Sequence, residues 1–246
     1  RVAATHAVNW FDRYGGESQR PVIGQLLAAK GLATLALGEQ ICEGFPLHDV
    51  DWDRPVYSGP LTTDEVFEEA VEILEDAVEA AGDNAEYANF ANVSLARALL
   101  GLGRFAEAGE VAARVPTDFV FNGEYGTVNP AKRNQMRFTY SSTGAVNSVA
   151  DRKGGTGIDF RTADDPRLAL TYLGDAHQGT ELYAPTKYQP TDAPITISSG
   201  IEARLIEAEA ALHAGSPASL EILNDLRATQ VTPAMDPLTD PGSFDA

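Results

Sequence analysis

The sequence predicts a mainly α fold of antiparallel helix pairs, interrupted by one long irregular excursion. Three observations predict it. Apolar residues recur at helical spacing from about residue 21 to 115 and again from about 200 to 228. Capping residues and glycine or proline stops bracket those runs. Residues 117–198 lose the stripe and gain turn formers.

The first helix is predicted from Pro21, a residue suited to a first helical turn, with Ile23, Leu26, Leu27, Leu32, Leu35 and Leu37 carrying it to about Cys42. Gly44 and Pro46 stop it. The next helix opens at Thr62-Thr63-Asp64-Glu65, where Thr62 stands three residues before Glu65 as a capping box requires. Leu61 and Val66 are spaced as a hydrophobic staple. Phe67, Val71, Leu74 and Val78 form the apolar face, Glu68, Glu69, Glu72 and Glu75 the wet one, and Gly82 is the stop. A third helix runs from about Ala85 through Phe90, Leu95, Ala98, Leu99 and Leu102 to Gly103. A fourth spans Phe105 to Val115 and closes at Pro116.

In residues 117–198, Asn122-Gly123, Asn129-Pro130, Gly154-Gly155, Asp165-Pro166 and Gly174-Asp175 mark turns, and Phe119-Val120-Phe121 reads as a short extended piece. A segment this long is functional or a scaffold excursion. Helix returns near Gly200, where Ile201, Leu205, Ala208 and Leu212 line one face up to Gly215. Ser216-Pro217 restarts it, and Leu220, Leu223 and Leu226 carry it to about Ala228. The expected organisation is a single domain: helix pairs over 1–116, an aromatic-rich excursion over 117–198, a helix pair over 199–230, and a tail over 231–246.

The chain of 246 residues is 43% apolar, enough for a core. Its 36 acidic and 18 basic residues give a net charge of -18. That surface repels phosphate backbones and anionic lipid heads, which argues against nucleic-acid partners. The lone Cys42 allows no internal disulfide and reads as a buried thiol. No apolar run approaches the ~20 residues of a membrane span, and no signal peptide is evident. Because the chain starts at Arg1 and ends in a turn-rich stretch, it reads as a piece of a longer protein.

Leu95-Ala96, Leu99, Gly103, Phe105 and Ala108 match the tetratricopeptide pattern, with small residues where two helices cross and a glycine-aromatic turn. Ala208, Gly215 and Leu220 repeat it loosely. Stacked helix pairs form a concave scaffold, a binding architecture.

Four ordered segments carry a more specific resemblance: Glu43-Gly44-Phe45-Pro46-Leu47; Pro60-Leu61-Thr62-Thr63-Asp64-Glu65-Val66-Phe67; the hairpin Ala96 to Ala108; and the late pair Ile201 to Leu212 with Leu223-Asn224-Asp225-Leu226-Arg227. Asp165-Pro166-Arg167 also fits. Together they resemble the SusD/RagB family of outer-membrane nutrient-binding lipoproteins over roughly residues 20–228. The lipidated N-terminal cysteine, the first helices and the usual C-terminal region of that family are missing. The resemblance implies a SusD-like α superhelical scaffold. It further implies non-catalytic binding of an oligosaccharide or other nutrient at the cell surface, together with a SusC-like TonB-dependent outer-membrane transporter. A tetratricopeptide-type scaffold binding peptides of partner proteins is the alternative.

Sugars stack apolar ring faces on aromatics and are framed by polar side chains. Five of the eight tyrosines (Tyr125, Tyr140, Tyr172, Tyr183 and Tyr188) lie in the excursion, near Asn122, Asn134, Arg137 and Asn147. The 48–57 loop adds Trp52, Arg54 and Tyr57. The ligand-binding candidates are therefore Trp52, Arg54, Tyr57, Tyr125, Tyr140 and Asn134, with Trp52 the preferred platform. No catalytic residue, metal or cofactor is expected. Asp49-x-Asp51-x-Asp53 opens like a calcium loop, but Arg54 and Pro60 occupy its sixth and twelfth positions. The four histidines are scattered, the glycines at 154–157 lack Walker A spacing, and there is no nucleophile elbow. Acidic residues are too abundant for any pair to stand out as glycosidase machinery.

Overall fold

The computed structural model describes residues 1–41, 44–52, 54–136, 148–152, 155–175, 179–188, 190–240 and 242. It separates into two compact units. The first comprises Arg1–Phe121, Ser198–Leu226 and Leu238–Ala246; the second comprises Asn122–Ile197 and Arg227–Pro237.

Helices dominate the first unit: α1 (Val2–Tyr14), α2 (Arg20–Gln40), α3 (Thr63–Ala81), α4 (Ala85–Gly101), α5 (Phe105–Ala112) and α6 (Gly200–His213), with α7 spanning Ala218–Thr229. Small residues let them pack closely. The buried face of α2 is Gly24, Ala28, Gly31, Thr34, Leu35 and Gly38, not the run of leucines the sequence suggests. Gly24 lies against Ala81, Gly31 against Leu74 and Gly38 against Phe67, all on α3. That seam explains a further departure from expectation. Glu17–Gln40 is one helical stretch long and apolar enough to cross a membrane by length and composition. Here its glycine face packs on α3, and 33% of its apolar 18-residue segment is buried.

The capping box at Thr62 is formed as the sequence predicts. Glu65 N donates to Thr62 Oγ1 at 3.2 Å, and Thr62 N donates to Glu65 Oε2 at 2.7 Å. From there α3 buries Val66, Phe67, Ala70, Val71, Leu74 and Ala77. Leu35, Leu74, Val93 and Leu99 form the centre of the core. Each such side chain contributes roughly 1.5–3 kcal/mol of burial.

The tetratricopeptide turn is present. Gly103 takes the left-handed conformation (φ +70°), and Ala96 and Ala108 are fully buried where α4 and α5 cross. The fourth helix ends at Ala112, earlier than Val115. Two carbonyls at and just beyond its end accept from α6: Arg204 donates to Ala112 O at 2.7 Å and Val115 O at 2.8 Å. Gly109 faces Ala210, and Phe105 stacks on His213 at 3.5 Å between ring centroids. On α6 the buried residues are Gly200, Ala203, Ile206 and Ala208. The predicted stripe is thereby corrected, since Ile201, Leu205 and Leu212 are exposed. Close helix approach selects the small residues as the inner face.

Two elements of this unit lie outside the sequence reading. One is α1. The other is the antiparallel hairpin of β1 (Phe45–Asp51) and β2 (Arg54–Leu61), which pairs Asp51 with Arg54 and His48 with Tyr57 around a turn at Trp52.

Short strands and turns make up the second unit, as the sequence predicts for this stretch. β3 (Val120–Gly123) and β6 (Ile195–Ser199) pair, as do β4 (Leu170–Asp175) and β5 (Glu181–Pro185). The β4–β5 register shifts between Tyr172 and Gly174, where Gly174 has φ +104°. This bulge is a place where only glycine is unstrained.

Candidate functional site

The second unit contains a cleft of about 530 Å3. Phe160, Arg161, Asp164, Asp165, Leu168 and Tyr183 line it, and Thr232-Pro233 closes it. Its walls come from two sources. The turn-rich stretch 159–169 is shaped by Asp151, whose Oδ1 accepts from Arg161 N at 2.7 Å and Thr162 N at 3.0 Å. The β4–β5 ladder supplies Leu170 and Tyr183.

Its charged groups are fixed by ion pairs. Arg161 reaches Glu181 Oε2 at 2.8 Å and Asp151 Oδ2 at 3.5 Å, and its guanidinium carbon lies 5.3 Å from the Tyr183 ring centre. Arg167 donates to Asp165 from its side chain and, at 2.9 Å, from its backbone N–H. Those bonds, side chain first, hold the Asp165 carboxyl at about 2. It therefore stays an acceptor at all ordinary pH. Tyr172, 5.3 Å from Tyr183 between ring centres, donates to Asp175 at 2.7 Å. That hydrogen bond pushes its phenol up to about 12. Phe160 is half exposed. A concave site with aromatic faces and pre-oriented polar groups has the chemistry of a ligand that is apolar on its faces and hydroxylated at its edges.

The predicted ligand residues are distributed as follows. Trp52, Arg54 and Tyr57 share the β1–β2 hairpin of the first unit. Trp52 sits at its turn with φ +55°, 44% exposed, and the Arg13 guanidinium lies 5.1 Å from its ring centre. Arg54 is exposed and paired with Asp51 at 3.1 Å. Tyr57 is exposed and stacked on His48 at 4.7 Å. Tyr125, in the second unit, is half-buried. Asn134, in the same unit, is fully buried. Its Nδ2 donates to Ala193 O at 2.7 Å and its Oδ1 accepts from Met136 N at 2.9 Å, so its amide is committed to holding the loop. Tyr140, Arg137 and Asn147 lie outside the described residues.

Phe160, Arg161 and Asp165 were not singled out as ligand residues by the sequence, and neither were Trp10, Arg13 and Tyr14 on α1. The one available signal was Trp10 and Tyr14 at i, i+4, an aromatic pair on one helix face. Among the described residues no group of three or more metal-ligating side chains gathers. Asp49 instead pairs with Lys30 at 2.7 Å and Arg1 at 3.2 Å.

No protein-family model and no curated protein sequence matches the chain. Solved structures do match, and they show that the chain has a SusD-like, tetratricopeptide-like helical fold. A SusD-like carbohydrate-binding protein from Bacteroides vulgatus superposes with a TM-score of 0.66 at 17% identity, over 94% of this chain and 59% of that one. A SusD-like protein from Bacteroides fragilis gives 0.60 at 14% identity, over 95% of this chain and 66% of that one. Surface glycan-binding protein A from Bacteroides uniformis gives 0.56 at 13%, over 90% and 62%. The chain thus spans about 59% of the length of the first of these.

Proposed function

We propose that the chain is the glycan-binding part of a SusD/RagB-type nutrient-uptake protein, non-catalytic, at the outer cell surface, lipid-anchored in the complete protein and working with a SusC-like TonB-dependent transporter. The observation that carries this reading is the cleft: about 530 Å3, walled by Phe160 and Tyr183, with Arg161 and Asp165 held in place by ion pairs. The fold shared with carbohydrate-binding proteins supports it. Trp52, Arg54 and Tyr57 on the hairpin, and Tyr125 and Tyr140 in the excursion, are proposed as further ligand contacts. A peptide-binding tetratricopeptide scaffold would leave the cleft without a role.

The test is calorimetric titration with a panel of neutral and acidic oligosaccharides, followed by product analysis. Binding of one glycan class without turnover, weakened by Phe160→Ala, is the expected result. Absence of binding across the panel, or release of shortened products, sinks the reading. Co-purification of a large outer-membrane barrel with the complete protein tests the transporter partnership.

A further inference from the structure

The first unit carries a second aromatic surface, made of residues outside the cleft. Trp10 and Tyr14 stand one turn apart on α1, 5.7 Å between ring centres, and are 54% and 62% exposed. Trp52 at the hairpin turn is 44% exposed. Arg13 joins the helix to the hairpin, its guanidinium carbon 5.6 Å from the Tyr14 ring centre and 5.1 Å from that of Trp52. Burial of three such rings would be strongly favourable, so leaving them in water marks the surface as a contact site.

Most arginines of this chain sit against a carboxylate, although Arg133 and Arg227 donate to backbone carbonyls instead. Arg54, the other arginine of the hairpin surface, is neutralised by Asp51, and Arg1, Arg97, Arg104, Arg161 and Arg167 each sit against a carboxylate. Among the described residues Arg13 has no acidic partner and donates no hydrogen bond; its contacts are the two rings. Stacking restricts a guanidinium while leaving its N–H donors unspent, and that fork matches a carboxylate bidentately. An exposed tryptophan face beside it matches the apolar face of a sugar ring.

We infer that the α1–hairpin surface binds a carboxylate-bearing sugar of the uronic-acid class, its carboxylate on Arg13 and its ring on Trp52 or Trp10. This inference rests on the glycan-binding reading but not on the cleft. The net charge of -18 opposes an anionic ligand at long range. That field is screened over about 8 Å at physiological salt, whereas the contact is not. Preference for the acid therefore depends on Arg13 itself.

The experiment titrates the full chain with oligomers of galacturonate, of alginate and of hyaluronan, each beside its carboxyl-reduced counterpart of identical backbone. At least one acid form is expected to bind about tenfold more tightly than its reduced form, the gain of one charge-assisted pair. Arg13→Gln should bring the two forms within about twofold while still binding the reduced one. Arg13→Lys should keep part of the preference, and Trp52→Ala should weaken both forms alike. Equal affinities for acid and reduced forms in the unmodified chain, or a preference that survives Arg13→Gln, overturns the inference. So does a preference abolished by Phe160→Ala and not by Arg13→Gln, which would place the acid in the cleft. If neutral glycans bind and acids gain nothing, this inference alone falls; if no glycan binds, the proposed function falls with it.

Discussion

Gly24 on α2 lies directly on the backbone of Ala81 on α3: a β-carbon at position 24 would stand 2.5 Å from Ala81 N and 2.7 Å from its Cα. Backbone cannot swing aside as a flexible side chain can, so the two helices must separate to admit even a methyl group. In an open helix, Gly→Ala stabilises by about 1 kcal/mol. Here overpacking should reverse the sign, and Gly24→Ala is expected to cost about 1–3 kcal/mol. Gly59 on β2 has nothing within 4 Å of its hypothetical β-carbon. Gly59→Ala should therefore stay within about 0.5 kcal/mol of the parent. Urea unfolding of the two variants side by side measures the difference.

Thr62 offers a second, more local test. Its hydroxyl and the Glu65 carboxylate satisfy each other's backbone N–H groups at the start of α3. Thr62→Ala is expected to cost about 1 kcal/mol. Glu65→Ala should cost less, and the double variant less than the sum, because both residues serve one motif. Additive losses in denaturant midpoint would show that the two bonds act independently.

That cap was legible in the sequence because every atom in it lies within four residues. The tetratricopeptide turn was legible for the same reason: Gly103 takes its left-handed conformation within the turn itself. The face of α3 was legible too, since Phe67, Val71 and Leu74 are buried as their spacing predicts, but those of α2 and α6 were not. On α2 and α6 the sequence favours leucine and isoleucine as the inner stripe; Leu35 and Ala208 do lie inside as expected, but Gly24, Gly31 and Gly38 on one and Ala203 and Ile206 on the other make up the rest. Residue hydrophobicity does not reveal how closely a partner helix approaches, and close approach reverses which face is inner. Trp52 was legible as an exposed aromatic, whereas its contact with Arg13 spans some forty residues of chain. The cleft was hardest to see. Its wall at 160–170 is completed by Tyr183 and by Thr232-Pro233, and no periodicity links those stretches. Asn134 is a ligand candidate by sequence, and the partners of its amide, Ala193 O and Met136 N, are backbone groups that leave no trace in side-chain pattern.

Acid should destabilise the first unit through Asp49. Burial raises its carboxyl, but the Lys30 ammonium at 2.7 Å and the Val50 N–H at 3.0 Å outweigh that and hold it at about 2, below its ordinary 3.8. A depressed carboxyl contributes stability that is complete above the unfolded value and is lost as pH falls through the folded one. Stability is thus expected to decline between about pH 4 and pH 2. Asp49→Asn should flatten that decline. At neutral pH it should cost about 1–3 kcal/mol by leaving Lys30 short of a partner. Denaturant unfolding at stepped pH reads both effects, and an unchanged acid slope in the variant would remove Asp49 from the account.

In the cleft, the Arg167 clamp on Asp165 makes a prediction that stacking alone does not. With Asp165 held at about 2, it remains an ionised acceptor from neutral pH down to about pH 3. Affinity for a neutral glycan should be flat over that range wherever the protein stays folded. Arg167→Ala removes the first cause of the depression, and the carboxyl returns toward its ordinary 3.8. Binding by the variant should then weaken as pH falls from 5 toward 4, because a protonated Asp165 gives up an acceptor for a sugar hydroxyl. Phe160→Ala should instead weaken binding by about 3- to 10-fold equally at every pH, the 0.5–1.5 kcal/mol of one aromatic contact. Titrations of parent, Arg167→Ala and Phe160→Ala at pH 7, 5 and 4 separate the two roles. A pH profile shared by all three proteins would mean that Asp165 does not touch the ligand.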